Sequence, residues 1–83
     1  MFKDKIKQFR TAHAMSQNEL GYLMGCQQMQ IGKYETGFLK PPLRVRVLFS
    51  CLEDHMASEP NGAYEWLKRV EQCRQEMVAE NED

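Results

Sequence analysis

The chain has 83 residues and a mass of 9.8 kDa, which is room for one small domain, and its 42% hydrophobic and 28% charged residues suit a soluble globular protein rather than a disordered one. No apolar run approaches the roughly 18 residues needed to cross a bilayer, and no apolar segment follows the basic N-terminus, so neither a transmembrane helix nor a signal peptide is expected. The net charge of −1 is unevenly divided, because residues 1–46 carry eight Lys and Arg against three acids, and residues 47–83 carry three against nine. The first part can present a basic surface to phosphate groups.

The spacing of apolar residues predicts helices throughout, beginning at the N-terminus. Three residues recur at steps of four and three, the period of one helical face: Phe2, Ile6 and Phe9. This first helix is expected to end near residues 13–14. Ser16 and Glu19 have the Ser-x-x-Glu spacing of a capping box, which predicts the start of a second helix of about eight residues. Gly25 ends it, because glycine adopts the left-handed conformation of a helix C-terminus at little cost.

Three further helices are predicted along the rest of the chain. The third runs from about residue 27 to 36, before Gly37, and the fourth from about residue 43 to 57, after two prolines that suit a helix start. Residues 58–62, Ser-Glu-Pro-Asn-Gly, form the clearest break in the chain, and residues 63–80 form a longer amphipathic helix. We therefore expect an all-α protein with a domain at residues 1–57, a linker at 58–62, and a C-terminal helix with an acidic tail at 63–83.

The stretch from residue 17 to 36, QNELGYLMGCQQMQIGKYET, meets the requirements of two short helices crossing at a steep angle. Five residues are placed to fill the junction between the helices: Leu20, Met24, Cys26, Ile31 and Tyr34. Gly21 is small enough for the helices to approach each other, and Gly25 accepts the tight turn. This pattern predicts a helix-turn-helix motif.

With this motif, the chain resembles the lambda-repressor/Cro superfamily of helix-turn-helix regulators, also called XRE-like, over roughly residues 5–52. The resemblance rests on the Ser-Gln-x-Glu-Leu sequence at residues 16–20 and the Tyr-Glu-x-Gly sequence at 34–37, together with Ile6, Phe9, Arg10, Met15, Gly25, Ile31 and Pro41. It implies a compact lambda-repressor-like bundle of about four helices plus the C-terminal amphipathic helix. It also implies a cytoplasmic transcriptional regulator of bacterial or phage origin, most simply a repressor, that binds a palindromic double-stranded DNA operator as a homodimer.

In such proteins the second helix of the motif enters the major groove with its N-terminal residues on the base edges. The corresponding base-reading residues here are Gln27, Gln28, Met29, Gln30 and Lys33. Glutamine can pair with adenine through two hydrogen bonds, methionine can contact a thymine methyl group, and lysine can reach guanine or a phosphate. The alternative for this set is a helix face that is only solvated.

Other polar residues have expected roles beside the base-reading set. Gln17 resembles the family's phosphate-contacting glutamine at the first turn of a helix. Three basic residues flank the loop that leads to the fourth helix and the helix itself, and could contact the DNA backbone or an adjacent minor groove: Lys40, Arg44 and Arg46. Each could instead be an ordinary solvated side chain. The resemblance also implies that Arg10 and Glu35 form a structural ion pair between the first helix and the end of the recognition helix.

Two glycines depart from the usual pattern inside these short helices. Gly21 stands where relatives more often have alanine, and Gly32 lies within the recognition helix. Each is expected to lower helix stability by up to about 1 kcal/mol. Gly32 either allows the backbone to approach DNA closely or leaves this helix less stable until it is bound.

The C-terminal helix carries a stripe of apolar residues at steps of four, three and four: Trp66, Val70, Cys73 and Met77. We expect this stripe to form the homodimer contact, or else to pack back on the first domain. An alternative function is an antitoxin or another protein-interaction module with the same fold, in which case the stripe would bind a toxin or an anti-repressor.

No enzyme activity, cofactor, metal or membrane partner is expected. His13 and His55 lie far apart in sequence, and no nucleophile triad, paired carboxylates or Gly-rich phosphate loop stands out. The three cysteines, Cys26, Cys51 and Cys73, contain no Cys-x-x-Cys spacing and are interpreted as buried free thiols in a reducing cytosol.

Overall fold

The computed structural model describes residues 2–81, and every regular element in that range is an α-helix. The helices are α1 (Phe2–Ala12), α2 (Gln17–Met24), α3 (Gln28–Thr36), α4 (Leu43–Ser58) and α5 (Gly62–Asn81). The predicted all-α class is confirmed. Within the described range, no helix combines the length with the apolar composition that a bilayer crossing requires. The chain forms two compact units, the first ending at Cys51 and the second beginning at Leu52. This division falls inside α4, earlier in the chain than the predicted boundary after residue 57.

The first unit is built around apolar side chains from α1, α2, α3 and the start of α4. Its most deeply buried residues are Ile6, Leu20, Ile31 and Phe49. The rings of Phe2 and Phe9 pack edge-on against the ring of Phe49, with centroids 5.3 and 5.2 Å away. Burying a side chain of this size stabilises the fold by about 1.5–3 kcal/mol, so a small set of residues holds these short helices together.

The turn between α2 and α3 fixes how closely these two helices approach. The predicted capping box at the start of α2 is confirmed, since Ser16 Oγ accepts from the Glu19 amide at 3.1 Å and Glu19 Oε1 accepts from the Ser16 amide at 3.2 Å. Gly25 ends α2 with a φ of 70°. A Cβ atom on Gly21 would lie 2.7 Å from the backbone oxygen of Cys26, which is too close for any side chain. The prediction that Gly21 must be small is confirmed, and the group that approaches it is the backbone of the turn.

Helix α1 ends in a Schellman motif that has alanine at the position where glycine is usual. The amide of Ala14 donates to the oxygen of Thr11 at 3.2 Å, and the amide of Met15 donates to the oxygen of Arg10 at 2.8 Å. Ala14 has a φ of 51°, in the left-handed region, where a side chain costs about 1 kcal/mol. The turn that leads into α2 is thus formed by hydrogen bonds in spite of this strain.

The second unit contains the last turns of α4 and the whole of α5. Gly62 packs so closely on α4 that a Cβ atom there would lie 2.6 Å from the backbone oxygen of His55. The His55 and Trp66 rings lie 5.8 Å apart, while Glu65 Oε2 lies 3.6 Å from His55 Nε2. Trp66 and Val70 are half-buried, whereas residues 71–81 are all exposed.

The prediction of three buried thiols is wrong, since none of the three is fully buried. Cys26, in the turn between α2 and α3, is half-buried, and Cys51 and Cys73 are exposed. Cys51 lies on the solvent side of α4, and Cys73 lies in the exposed part of α5.

Candidate nucleic-acid interface

The start of α3 is fixed by backbone and side-chain hydrogen bonds between Gln27 and Gln30. Gln27 has an extended conformation, with φ −77° and ψ 152°, and immediately precedes α3. Its amide donates to Oε1 of Gln30 at 3.1 Å, and its carbonyl oxygen accepts from the Gln30 amide at 3.0 Å. Gln30 therefore satisfies a backbone donor that the helix itself leaves unpaired. This gives one predicted base-reading side chain a capping role.

An open groove of about 730 Å³ lies along α3 and the start of α2. The residues that line this α2–α3 groove are Gln17, Gln27, Gln28, Met29, Gly32, Lys33, Thr36 and Phe38. The predicted base-reading residues thus lie in one surface with Gln17, except for Gln30 at the cap. Met29 is 68% exposed although it is apolar, and no described side chain covers it. The lining combines amide donors and acceptors, a cation and an apolar contact surface.

Gln17 lies between the two helices of the motif. Its Nε2 donates to Oε1 of Glu35 at 3.4 Å, so its side chain extends from the first turn of α2 towards α3. A Cβ atom on Gly32 would meet the Gln17 amide at 3.5 Å, which is an ordinary van der Waals distance. Gly32 therefore leaves α3 open towards the groove without being required by close packing.

Arg10 and Glu35 form a two-pronged ion pair behind the groove. Arg10 Nε donates to Glu35 Oε2 at 2.8 Å, and a second guanidinium nitrogen donates to Oε1 at 3.0 Å. A third donates to the backbone oxygen of Met15 at 3.1 Å. The hydrogen bond to Glu35 raises the pKa of Arg10 above its ordinary value, and the negative charge adds to this while burial opposes it. The pair joins the end of α1 to the last turn of α3.

Thr36 and Phe38, which the sequence reasoning did not single out, complete one end of the groove. Phe38 is 75% exposed, and Lys33 Nζ lies 5.7 Å from the centre of its ring. Thr36 Oγ1 donates to the backbone oxygen of Lys33 at 3.2 Å and accepts from the Phe38 amide at 3.4 Å. The signal in the sequence was a single aromatic residue directly after the helix-ending Gly37.

The three basic residues predicted to contact phosphate lie outside the groove. Lys40 and Arg46 line a separate cavity together with Lys3. Arg44 is exposed and lies close enough to Cys26 for its charge to lower the pKa of that thiol, although burial has the larger effect and raises it. The structure therefore brings five of the predicted DNA-contacting residues together in the groove and separates these three from them.

The charge of the first unit favours an anionic partner. Residues 47–51 carry no charge, so all eight basic and three acidic residues of the N-terminal part fall within this unit, and one of those acids is paired with Arg10.

Among residues 2–81, no group of three or more His, Cys, Asp or Glu side chains is arranged to hold a metal ion.

Comparisons of the chain with protein-family models, with curated proteins and with solved structures give no match. A function is therefore inferred from the residues of the groove and their geometry.

Proposed function

We propose that this chain is a sequence-specific double-stranded DNA-binding transcriptional regulator, most simply a repressor, that reads bases with α3. The observation that carries the proposal is the α2–α3 groove. Gln28 and Met29 are exposed at the N-terminal end of α3, and Gln27, Lys33 and Gln17 lie in the same surface. Amide side chains, a methionine and a lysine are the groups that discriminate base edges and thymine methyl groups in the major groove.

The dimensions of α3 suit this role. Its nine residues span about 13.5 Å, and a helix with its side chains is about 10–12 Å wide, which matches the roughly 12 Å width of the major groove. The Arg10–Glu35 pair and the Thr36 hydrogen bonds hold the far end of α3, so its reading side chains start from an ordered backbone.

A homodimer is part of the proposal, because a single short helix reads only a few base pairs while a two-fold dimer reads two half-sites about 34 Å apart. The α5 stripe supplies the contact surface, since Cys73 and Met77 are exposed. Arg69 and Glu76 each directly precede a stripe residue, so they lie along the same edge of it. In an antiparallel pair of α5 helices this edge faces its own copy, which brings each Arg69 to Glu76 of the other chain.

The proposal is tested by fluorescence anisotropy with duplexes from the region upstream of the coding sequence, scrambled duplexes as controls, and two salt concentrations. We expect specific binding to exceed scrambled binding by about 10³ or more. Gln28→Ala should reduce discrimination at defined base pairs by about 1–3 kcal/mol. Its matched control is Gln8→Ala, an exposed glutamine of α1 outside the groove. Absence of binding at low salt, or equal effects of the two substitutions, would refute the proposal.

A second substitution separates base reading from phosphate contact. Lys40 is assigned a phosphate contact, so Lys40→Ala should weaken the binding of specific and scrambled duplexes alike. It should also reduce the slope of log K against log salt concentration by about one unit. A loss confined to the specific duplex would instead make Lys40 a base-reading residue and would contradict the assignment of that role to α3.

The second candidate function is a protein-interaction module such as an antitoxin. It is favoured by the apolar residues that remain exposed on α5, where Met77 and Val78 are 61% and 57% exposed. Under this hypothesis the chain binds a toxin or an anti-repressor through α5, and substitutions on α5 would abolish that binding while the groove substitutions would not.

A further inference from the structure

A second cavity, of about 440 Å³, lies in the first unit between the start of α1, the end of α3 and the loop that leads to α4. We call it the loop cavity. Its lining includes the side chains of Lys3, Tyr34, Lys40 and Arg46. The volume falls within the roughly 300–1,000 Å³ typical of small-molecule sites. The α2–α3 groove shares none of its lining residues with this cavity.

The positive charge in the loop cavity has no counter-charge among the described residues. Lys3, Lys40 and Arg46 line it, no acidic side chain does, and none of the three forms an ion pair with a described residue. Lys3 Nζ lies 3.7 Å from where a Cβ atom on Gly37 would stand. Three cations around one concave surface create a positive potential that an anion would relieve.

Arg46 is held in place by two contacts of its own. Its Nε donates to the backbone oxygen of Pro41 at 3.0 Å, and its guanidinium carbon lies 5.0 Å from the centre of the Phe2 ring. These contacts orient the guanidinium and leave its remaining N–H groups without hydrogen-bond partners among the described residues. A planar guanidinium fixed in this way is suited to a carboxylate or a phosphate.

Tyr34 adds a hydroxyl group to the wall of the loop cavity. The residue is only 6% exposed and lines the cavity, and its hydroxyl, which solvent reaches, has no hydrogen-bond partner among residues 2–81. The hydroxyl is therefore available to donate a hydrogen bond to an anion in the cavity. The apolar side chains of Phe2, Leu39 and Pro41 also line the cavity, so its wall is not only charged.

We propose that the loop cavity binds a small organic anion. Its carboxylate or phosphate group lies among Lys3, Lys40 and Arg46 and accepts a hydrogen bond from the Tyr34 hydroxyl. Its apolar body packs on Phe2 and Leu39. A phosphate of the DNA backbone has the same anionic group but no apolar body. The two ligands can therefore be distinguished by whether an apolar group attached to the anion strengthens binding.

The test is a titration of the full chain, without DNA, followed by backbone amide shifts in two-dimensional NMR. The probes are phenyl phosphate, inorganic phosphate and phenol, each up to about 10 mM, where a site with a Kd of about 1 mM is nearly saturated. We expect phenyl phosphate to shift the amides of Gly37 and Lys40 saturably, with about tenfold weaker binding of inorganic phosphate and none of phenol. Because no DNA is present, this outcome is independent of the proposed DNA binding.

Two variants and a control test the assignment of residues. Lys40→Ala, at an exposed position that does not threaten the fold, should weaken phenyl phosphate about tenfold, and Tyr34→Phe should weaken it by a similar factor while far-UV circular dichroism stays unchanged. Lys5→Ala, an exposed lysine of α1 outside the cavity, should have no effect. Three results would overturn the proposal: no saturable shift with phenyl phosphate, equal affinity for inorganic and phenyl phosphate, or equal losses in Lys5→Ala and Lys40→Ala. Equal affinities together with the same amide shifts on addition of duplex would assign the cavity to the DNA backbone.

Discussion

Removing Arg10 is the most informative perturbation of the first unit, because this side chain joins α1 to the end of α3. Replacement by methionine keeps much of the aliphatic side chain but deletes three hydrogen bonds, two to Glu35 and one to the backbone oxygen of Met15. The Glu35 side chain is only 6% exposed, and its remaining partner is Gln17 at 3.4 Å. The substitution therefore leaves a largely buried carboxylate with one weak hydrogen bond.

The expected magnitude follows from this burial. Deleting one partner of a fully buried ion pair costs about 3–5 kcal/mol. Because the Arg10 side chain is 21% exposed, water can reach part of the site, and we expect a smaller loss of about 2–3 kcal/mol in the free energy of unfolding. For a chain of this size that corresponds to a fall of about 10–20 °C in Tm.

The assay is urea unfolding of Arg10→Met, Glu35→Met and the double variant, followed by far-UV circular dichroism. Fluorescence of Trp66 is unsuitable because that residue lies in the second unit. In the double variant no charge is left unpaired, so its loss should be smaller than the sum of the single losses by at least about 1 kcal/mol. The raised pKa of Arg10 means that its contribution is present throughout the neutral range and is lost only as the pH rises through that raised value.

Lys5→Met is the matched control, since Lys5 is an exposed cation of the same helix with no described ion pair. Its effect should stay within about 0.5 kcal/mol. An Arg10→Met variant as stable as this control, or single losses that simply add in the double variant, would show that the pair does not hold α3 in place.

Three further predictions concern packing, thiol chemistry and assembly. Gly21→Ala should destabilise the protein by about 1–3 kcal/mol, because the new Cβ would lie 2.7 Å from a backbone oxygen. Gly32→Ala should stabilise it by up to about 1 kcal/mol, because the new Cβ meets only a flexible side chain at 3.5 Å. Equal effects of the two substitutions in urea unfolding would contradict this prediction. Burial raises the pKa of Cys26, so this thiol should need a higher pH to react with a disulfide reagent than the two exposed thiols. The folded protein favours the neutral thiol, so the free energy of unfolding should fall as the pH rises past the ordinary thiol pKa. Met77→Asp should weaken self-association about tenfold or more in sedimentation experiments. Val78→Asp, at a similarly exposed position outside the stripe, should have no such effect. A wild-type protein that is monomeric at micromolar concentration would contradict the dimer.

Local chemistry made the helices and their caps predictable from the sequence. The Ser16–Glu19 box and the glycine that ends α2 act through atoms a few residues apart, so the spacing of residue types determines the structure formed. The end of α1 was less evident, because Ala14 adopts a conformation that favours glycine and is held there by hydrogen bonds to residues of α1. Helix propensities do not predict a strained residue that is stabilised by its surroundings.

The groove was predictable only in part, because its residues come from different elements. Gln27, Gln28, Met29 and Lys33 are close in sequence, and their shared surface follows from the helical period. Phe38 lies after the end of α3, where its amide donates to Thr36 Oγ1, so the helical period does not predict its place in the groove. Lys40, Arg44 and Arg46 were grouped by charge and proximity in sequence, and the structure separates them from the groove because charge alone does not determine the side of the loop on which each residue lies.

Gly21 and Gly32 show why helix propensity alone is insufficient to assign a role. Both lie inside short helices of the motif, so helix propensity assigns them the same small cost. Their neighbours differ, since one faces the backbone of the turn after its own helix and the other faces the side chain of Gln17. A backbone oxygen cannot move away without disrupting the turn, whereas a glutamine side chain can change rotamer. The same substitution therefore has opposite expected signs at the two positions, and the three-dimensional contacts supply the physical reason.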